Sequence, residues 1–296
     1  MSGNTRNYLS LLTAFVMTLS VLSCAKEQDQ KSRVISLLGA VNVTRGTEAK
    51  RPVVLGEEFK ENDRIITGPA SFVVFSIGEA AVARIQPESD VVLTSITDMS
   101  KIDIGLDKGS VLSKVNKLAK GTDYRVTTPT VVASVRGTLF SVNTDEGTGA
   151  VAVKNGRVSV AVKNSDKSLD ISEGTTVVFT GEVVMRPMEE AEGIILENME
   201  ALPADLNMRA EEKRQELNRE IIEKDREVNR KLDEKGIPRT LEDMKARYER
   251  IDEVTLYSGK VIRGIIMERG VYIRVLTPSG YVNIPAKKVR NTRALK

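Results

Sequence analysis

Between Arg33 and Pro187 the chain repeats one pattern that excludes most folds: short β-branched runs cut by Gly, Asn, Asp or Pro. Val53-Val54-Leu55 stops at Gly56, Ile65-Ile66-Thr67 at Gly68-Pro69, and Phe72-Val73-Val74-Phe75 is followed by Gly78. Ala81-Val82-Ala83-Arg84-Ile85 and Asp90-Val91-Val92-Leu93 continue the series. Side chains branched at Cβ crowd a helical turn and pack well on a pleated surface, so this stretch is expected to be strands joined by turns. Alternation places Ile102, Ile104 and Leu106 on one face, and likewise Val158, Val160 and Val162. The Asn155-Gly156 pair predicts a hairpin between Val151–Val153 and Val158–Val162. Leu38-Gly39-Ala40-Val41, Lys108-Gly109-Ser110-Val111, Asn155-Gly156-Arg157-Val158 and Ser258-Gly259-Lys260-Val261 each set Gly two residues before Val. Their irregular spacing reads as a recurring turn-to-strand solution and not a solenoid period.

The chain of 296 residues has no His and a single Cys. It therefore lacks the side chain best suited to proton transfer near neutral pH, and no intramolecular disulfide or multi-cysteine metal site can form. No G-x-S-x-G elbow, phosphate-binding glycine loop or calcium loop is present. Catalytic, metal and cofactor residues are accordingly expected to be none. Carboxylate pairs such as Glu57-Glu58 and Asp145-Glu146 lie beside turns and read as surface charge. With 44 basic and 41 acidic residues the charge is near balance, which argues against a nucleic-acid partner.

That one cysteine, Cys24, follows Arg6 and the uncharged, mostly apolar run Leu9 to Leu22. The run is too short for a membrane span and suits a signal-peptide core. Val21-Leu22-Ser23-Cys24 resembles the bacterial lipobox, in which the thiol takes a diacylglycerol and the freed amine a further chain. The expectation is an exported protein anchored by lipid at Cys24, with the outer membrane as its expected site.

Further along, Thr127-Thr128-Pro129-Thr130-Val131-Val132-Ala133-Ser134-Val135-Arg136-Gly137-Thr138-Leu139-Phe140-Ser141-Val142 resembles the signature of the FecR domain. Asn62 to Gly68 matches its early D-x-I-x-T-G step, Gly156-Arg157-Val158 its G-x-V strand, and Leu169 to Gly174 its closing turn. The resemblance covers roughly residues 38–180 and implies a β-rich sensory or scaffolding module outside the cytoplasm. Founding members pass a signal from an outer-membrane transporter to a cytoplasmic sigma factor through a cytoplasmic segment. Reading residues 1–23 as a leader sets the expectation of the domain without that segment. In the residues themselves, Gly137 permits a tight turn, and Arg136 carries a planar head suited to pinning carbonyls or a carboxylate.

From Glu189 the composition turns to Glu, Lys and Arg. Leu206, Ala210, Leu217, Ile221, Val228 and Leu232 form a narrow helical stripe, expected to pack on the chain's own domains or on a second helix. Thr240-Leu241-Glu242-Asp243 reads as a helix start. The C-terminal strands, with V-x-L-x-x-G-x-V-x-x-G over Val254–Gly264 and a turn at Thr277–Gly280, resemble an Sm-like small barrel.

The fold is thus expected to be mainly β: a FecR-like domain built as a sandwich or short β-helical stack, a charged helical arm and a small C-terminal β-barrel. The expected boundaries are 1–23 signal peptide, 24–32 lipidated tether, 33–187 FecR-like domain, 188–252 arm, 253–290 barrel and 291–296 basic tail. The site residues are Cys24 for lipid, Arg136, Gly137 and Thr138 for the signature turn, and Arg136, Lys287, Lys288 and Arg290 as interaction candidates. The expected role is a non-enzymatic envelope lipoprotein that binds a protein, senses or scaffolds. A cell-wall glycan-binding or carboxylate-based glycan-processing protein and a periplasmic signal regulator are the alternatives. The partners expected are the membrane, through the lipid, and an envelope protein or peptidoglycan. The oligomeric state is left open.

Overall fold

The computed structural model describes residues 32–96, 101–116, 123–145, 148–179, 183–200, 202, 211–238, 240–259, 261–277 and 280–295. Cys24 and the leader lie outside them, as do Leu206 and Ala210 of the expected stripe. Among the described residues seventeen strands form the body: β1 (Ser32–Leu38), β2 (Val41–Arg45), β3 (Arg51–Pro52), β4 (Glu58–Phe59), β5 (Asp63–Thr67), β6 (Phe72–Ile77), β7 (Ala81–Ile85) and β8 (Asp90–Ser95). There follow β9 (Lys101–Val115), β10 (Asp123–Thr127), β11 (Val131–Val135), β12 (Leu139–Asp145), β13 (Thr148–Asn155), β14 (Arg157–Val162), β15 (Ser168–Ser172), β16 (Thr175–Phe179) and β17 (Val183–Pro187).

Hydrogen bonding sorts them into two facing layers. The first runs β4-β1-β6-β7-β9-β12-β13-β16-β17. The second runs β3-β2-β5-β8-β9-β10-β11-β14-β15. β9 belongs to both, its first half pairing with β8 and β10 and its second with β7 and β12. It changes layer at Gly109, whose φ of +92° and approach to Ser89 leave no room for a side chain: a Cβ would lie 2.5 Å from Ser89 Cα. Only β9–β10 is parallel among the described pairings, so the layout is a sandwich of antiparallel ladders and not a β-helical stack. One core fills the space between the layers, with Phe75, Val111, Phe140 and Val151 from the first and Ile65, Ile104, Tyr124 and Val160 from the second.

Asn155-Gly156 does not close a hairpin. β13 pairs with β12 and β16 while β14 pairs with β11 and β15, so the turn carries the chain from one layer to the other. Gly39, between β1 and β2, stands at the same kind of crossing. Three of the four Gly-x-Val sites thus mark a change of layer, whereas Gly259 turns a true hairpin.

Helices α1 (Glu190–Glu200) and α2 (Glu211–Glu234) lie on the outer face of the first layer. Leu196, Met199, Leu217 and Ile221 bury against Ile35, Phe72, Val74, Val82, Leu112 and Leu139. Each such aliphatic side chain contributes about 1.5–3 kcal/mol on full burial. Val228 and Leu232 pack on Ile194 of α1, so the described part of the stripe is a docking face. α3 (Leu241–Tyr248) opens with Thr240 and Asp243 bonding each other's backbone N–H, both at 3.0 Å.

The C-terminal strands are β18 (Ile251–Leu256), β19 (Val261–Arg269), β20 (Tyr272–Thr277), β21 (Gly280–Pro285) and β22 (Val289–Leu295). Their order is β21-β20-β19-β18-β22, which corrects the expected small barrel to an open sheet. The short helical turn Ala286–Lys288 separates β21 from β22 and returns the chain to the far side of β18. The two edge strands therefore share no ladder, and the loop of hydrogen bonds that closure requires is not made. Residues 291–295, expected in a basic tail, continue β22. One face of the sheet holds Val254, Ile273, Val275 and Ile284, and the other buries Met244 of α3 among Ile251, Ile265 and Leu276.

Candidate functional site

The signature Arg136-Gly137-Thr138 forms the connection from β11 in the second layer to β12 in the first. Thr138 is buried; its N–H donates to Val115 O (3.1 Å), its carbonyl accepts from Val115 N–H (2.9 Å) and its Oγ1 donates to Arg157 O (2.9 Å). Gly137 adopts φ +85°, and Gly156 from the neighbouring crossing packs on it so closely that a Cβ would stand 2.8 Å from Gly137 O. Two layer crossings are locked side by side, Gly137 and Thr138 of the one against Gly156 and Arg157 of the other. Arg136 itself is exposed and makes no hydrogen bond or ion pair among the described residues.

A second cluster fastens the arm to the sandwich. Arg84 on β7 is 2% exposed, with its guanidinium 3.8 Å above the Phe72 ring and Nε donating to Gln86 Oε1 (2.9 Å). Its Nη2 is ion-paired with Asp225 of α2, whose other oxygen accepts from Asn229 Nδ2 (2.9 Å). Burial lowers the Arg84 pKa from its ordinary value, while the Asp225 carboxylate opposes the shift. On β1, Ser36 Oγ (2.7 Å) and Leu37 N–H (3.2 Å) donate to Asn218 Oδ1 of α2. For α1, Lys114 Nζ donates to the carbonyls of Glu200 (3.0 Å) and Leu202 (2.7 Å), a cation at the negative end of the helix. Burial lowers the Lys114 pKa, with Glu200 opposing. At the other end Arg186 grips Glu192 with both Nη atoms (2.9 and 2.7 Å), and Thr176 Oγ1 joins at 2.8 Å. Periodicity gave no sign of the Arg84–Asp225 pair; its one clue was an arginine inside the apolar run of β7, where every residue is buried.

The other predicted residues fall elsewhere. Lys287 and Lys288 sit on the turn between β21 and β22, and Arg290 is exposed on β22. Glu57 is held by Arg51 (2.5 Å) and Val54 N–H (3.1 Å), and Glu146 lies outside the described residues. Among the described residues no three His, Cys, Asp or Glu gather as a metal site. No described helix is long and apolar enough to cross a membrane.

The model of the family described as FecR protein matches residues 63–159, a third of the chain containing the signature turn and β9. No curated protein matches the sequence. Two crystal structures of a candidate anti-sigma factor from Parabacteroides distasonis ATCC 8503 are similar in part. One, at 1.65 Å resolution, has 17% identity over 43% of this chain and 60% of its own, with a TM-score of 0.38. The other, at 2.50 Å, has 15% identity over 47% and 64%, with a TM-score of 0.39. This chain therefore spans less than two thirds of either structure it resembles. The likeness to a FecR-containing lipoprotein with an Sm-like barrel is corrected accordingly: what matches is part of a FecR domain, the match does not reach Cys24, and the C-terminal sheet is open.

Proposed function

We propose that this chain is a non-catalytic, protein-binding regulator whose FecR-like sandwich presents a fixed surface to a partner protein outside the cytoplasm. The FecR match over residues 63–159 carries the reading, because it covers the signature turn and the strand shared by both layers. Supporting it, the two ends of α1 and the Asn218 and Asp225 side chains within α2 are spent on holding the arm to the sandwich, which favours a rigid display over a cleft for small molecules. A photoreactive residue in place of exposed Arg136, or of exposed Glu220 on α2, should crosslink in cells to one reproducible protein. Absence of any crosslink from either position would count against the reading.

Export belongs to the same proposal, supported by the apolar run before Cys24. Mass spectrometry of the mature N-terminus tests it. A chain beginning at Cys24 with added acyl mass is expected, and an intact Met1 in membrane-free cytoplasm would refute it.

A further inference from the structure

The turn Ala286–Lys288 is the meeting point of exposed apolar and basic side chains from three separate segments. Ala286 N–H donates to Val271 O (2.9 Å), and Lys288 O accepts from Tyr257 N–H (3.0 Å), so the turn is fixed on both sides. Val271 is 83% exposed, Tyr257 72% and Tyr272 44%, unusual values for large apolar residues in a folded unit. Val271, Tyr272, Pro285, Ala286 and Lys287 line a depression of about 280 Å³. Lys288 and Arg290 follow directly and make no ion pair among the described residues. Arg269 is brought beside β22 by its bond to Thr292 Oγ1 (3.0 Å). Glu253 on the neighbouring β18 is already held by Arg263 and Arg293, at 3.2 and 3.3 Å. From this corner runs β22, an edge strand that among the described residues pairs with β18 alone.

We infer that this corner and the β22 edge bind an extended, acidic protein segment with apolar side chains at alternate positions. The inference rests on the protein-binding reading above and adds to the sandwich a second contact surface, on the C-terminal sheet. Strand addition would satisfy the unpaired backbone of β22, one apolar side chain would fill the depression, and carboxylates would meet Lys288 and Arg290. Charge complementarity selects this occupant. A second copy of β22 would set like charges against Arg290 and Arg293, the usual way an edge is guarded against its own kind. A membrane surface would leave both the concave depression and the backbone edge unused.

The test is fluorescence anisotropy on the full-length chain with a labelled peptide of alternating Glu and Val, its Gln/Val counterpart, and phosphatidylglycerol–phosphatidylcholine vesicles. The Glu/Val peptide should bind about tenfold more tightly than the Gln/Val one, since two rim cations give on the order of 1.4 kcal/mol. The double change Lys288→Glu with Arg290→Glu should remove that preference, and Val271→Asp should weaken both peptides. All three positions are at the surface, and a thermal melt superimposable on wild type verifies that the variants fold. Equal affinity for the two peptides, indifference to the substitutions, or binding of vesicles without peptide would overturn the inference. An unchanged yield of the in-cell crosslink in the double variant would overturn this surface while leaving the broader protein-binding reading in place.

Discussion

Arg84 and Asp225 are 141 positions apart in sequence, and their pairing holds a helix on a sheet. A buried ion pair is a weak net stabiliser, because desolvating both charges cancels most of their attraction. Breaking it is a different matter, since one charge then stays buried alone. Asp225→Ala should cost about 3–5 kcal/mol in urea unfolding, whereas Arg84→Met with Asp225→Leu should be close to neutral. A loss below about 1 kcal/mol for the single change would show that water reaches Arg84. Glu57 makes a smaller, pH-dependent contribution. Burial pushes its carboxyl up, but the Arg51 bond, the Val54 N–H and the charges of Arg51 and Arg45 together hold it below its ordinary 4.5. Because the folded pKa is the lower one, its stabilisation is complete above pH 4.5 and disappears as pH falls through the folded value. Glu57→Gln should therefore flatten the acid side of the stability–pH curve and leave its alkaline side unmoved, as measured by urea midpoints across that range.

At the scale of elements, the crossings decide the architecture. Gly156→Ala should cost about 1–3 kcal/mol by thermal or chemical unfolding, because φ of +90° is strained for alanine and its Cβ would press on Gly137 O. A cost under half of that would mean the two crossings can separate. The strands themselves were legible in the sequence, since β-branched runs and punctuation act locally. The same holds for the cap at Thr240 and for Leu217, Ile221, Val228 and Leu232, whose spacing alone identified a docking face. What Asn155-Gly156 joins was not legible. A turn residue reports its own backbone angle, and whether the flanking strands pair depends on which strands occupy their edges: β12 and β16 flank β13, and β11 and β15 flank β14. The open C-terminal sheet escaped detection for the same reason: glycine spacing locates turns, while closure depends on which strand β22 reaches. Of the candidate surface, the basic residues Lys287, Lys288 and Arg290 could be picked out, but Tyr257 and Val271 join them only through the folded turn.

At the scale of the molecule, the apolar clusters fall into two groups with no residue in common. The sandwich interior and the seam between sandwich and arm form one group, and the two faces of the C-terminal sheet, one of them with α3, form the other. An ion pair between them is Arg274–Glu189, at 3.7 Å. Removing residues 240–296 should accordingly leave the sandwich's main melting transition within a few degrees of its original position, as followed by circular dichroism, on the order of 1 kcal/mol or less. A collapse of that transition would show that the sheet supports the body. The strand common to both layers has a further consequence, one of timing. Four strands lie on each side of β9 in each layer, and all those on one side precede it in the chain. A chain made from its N-terminus can complete that flank first, presenting β7 and β8 as a double growth front. β9 then covers both fronts at once and becomes the new one, so the second flank is laid on a template already in place. A pause in synthesis just after Val115 would leave a half-built body whose raw margin is a single strand shared by two layers.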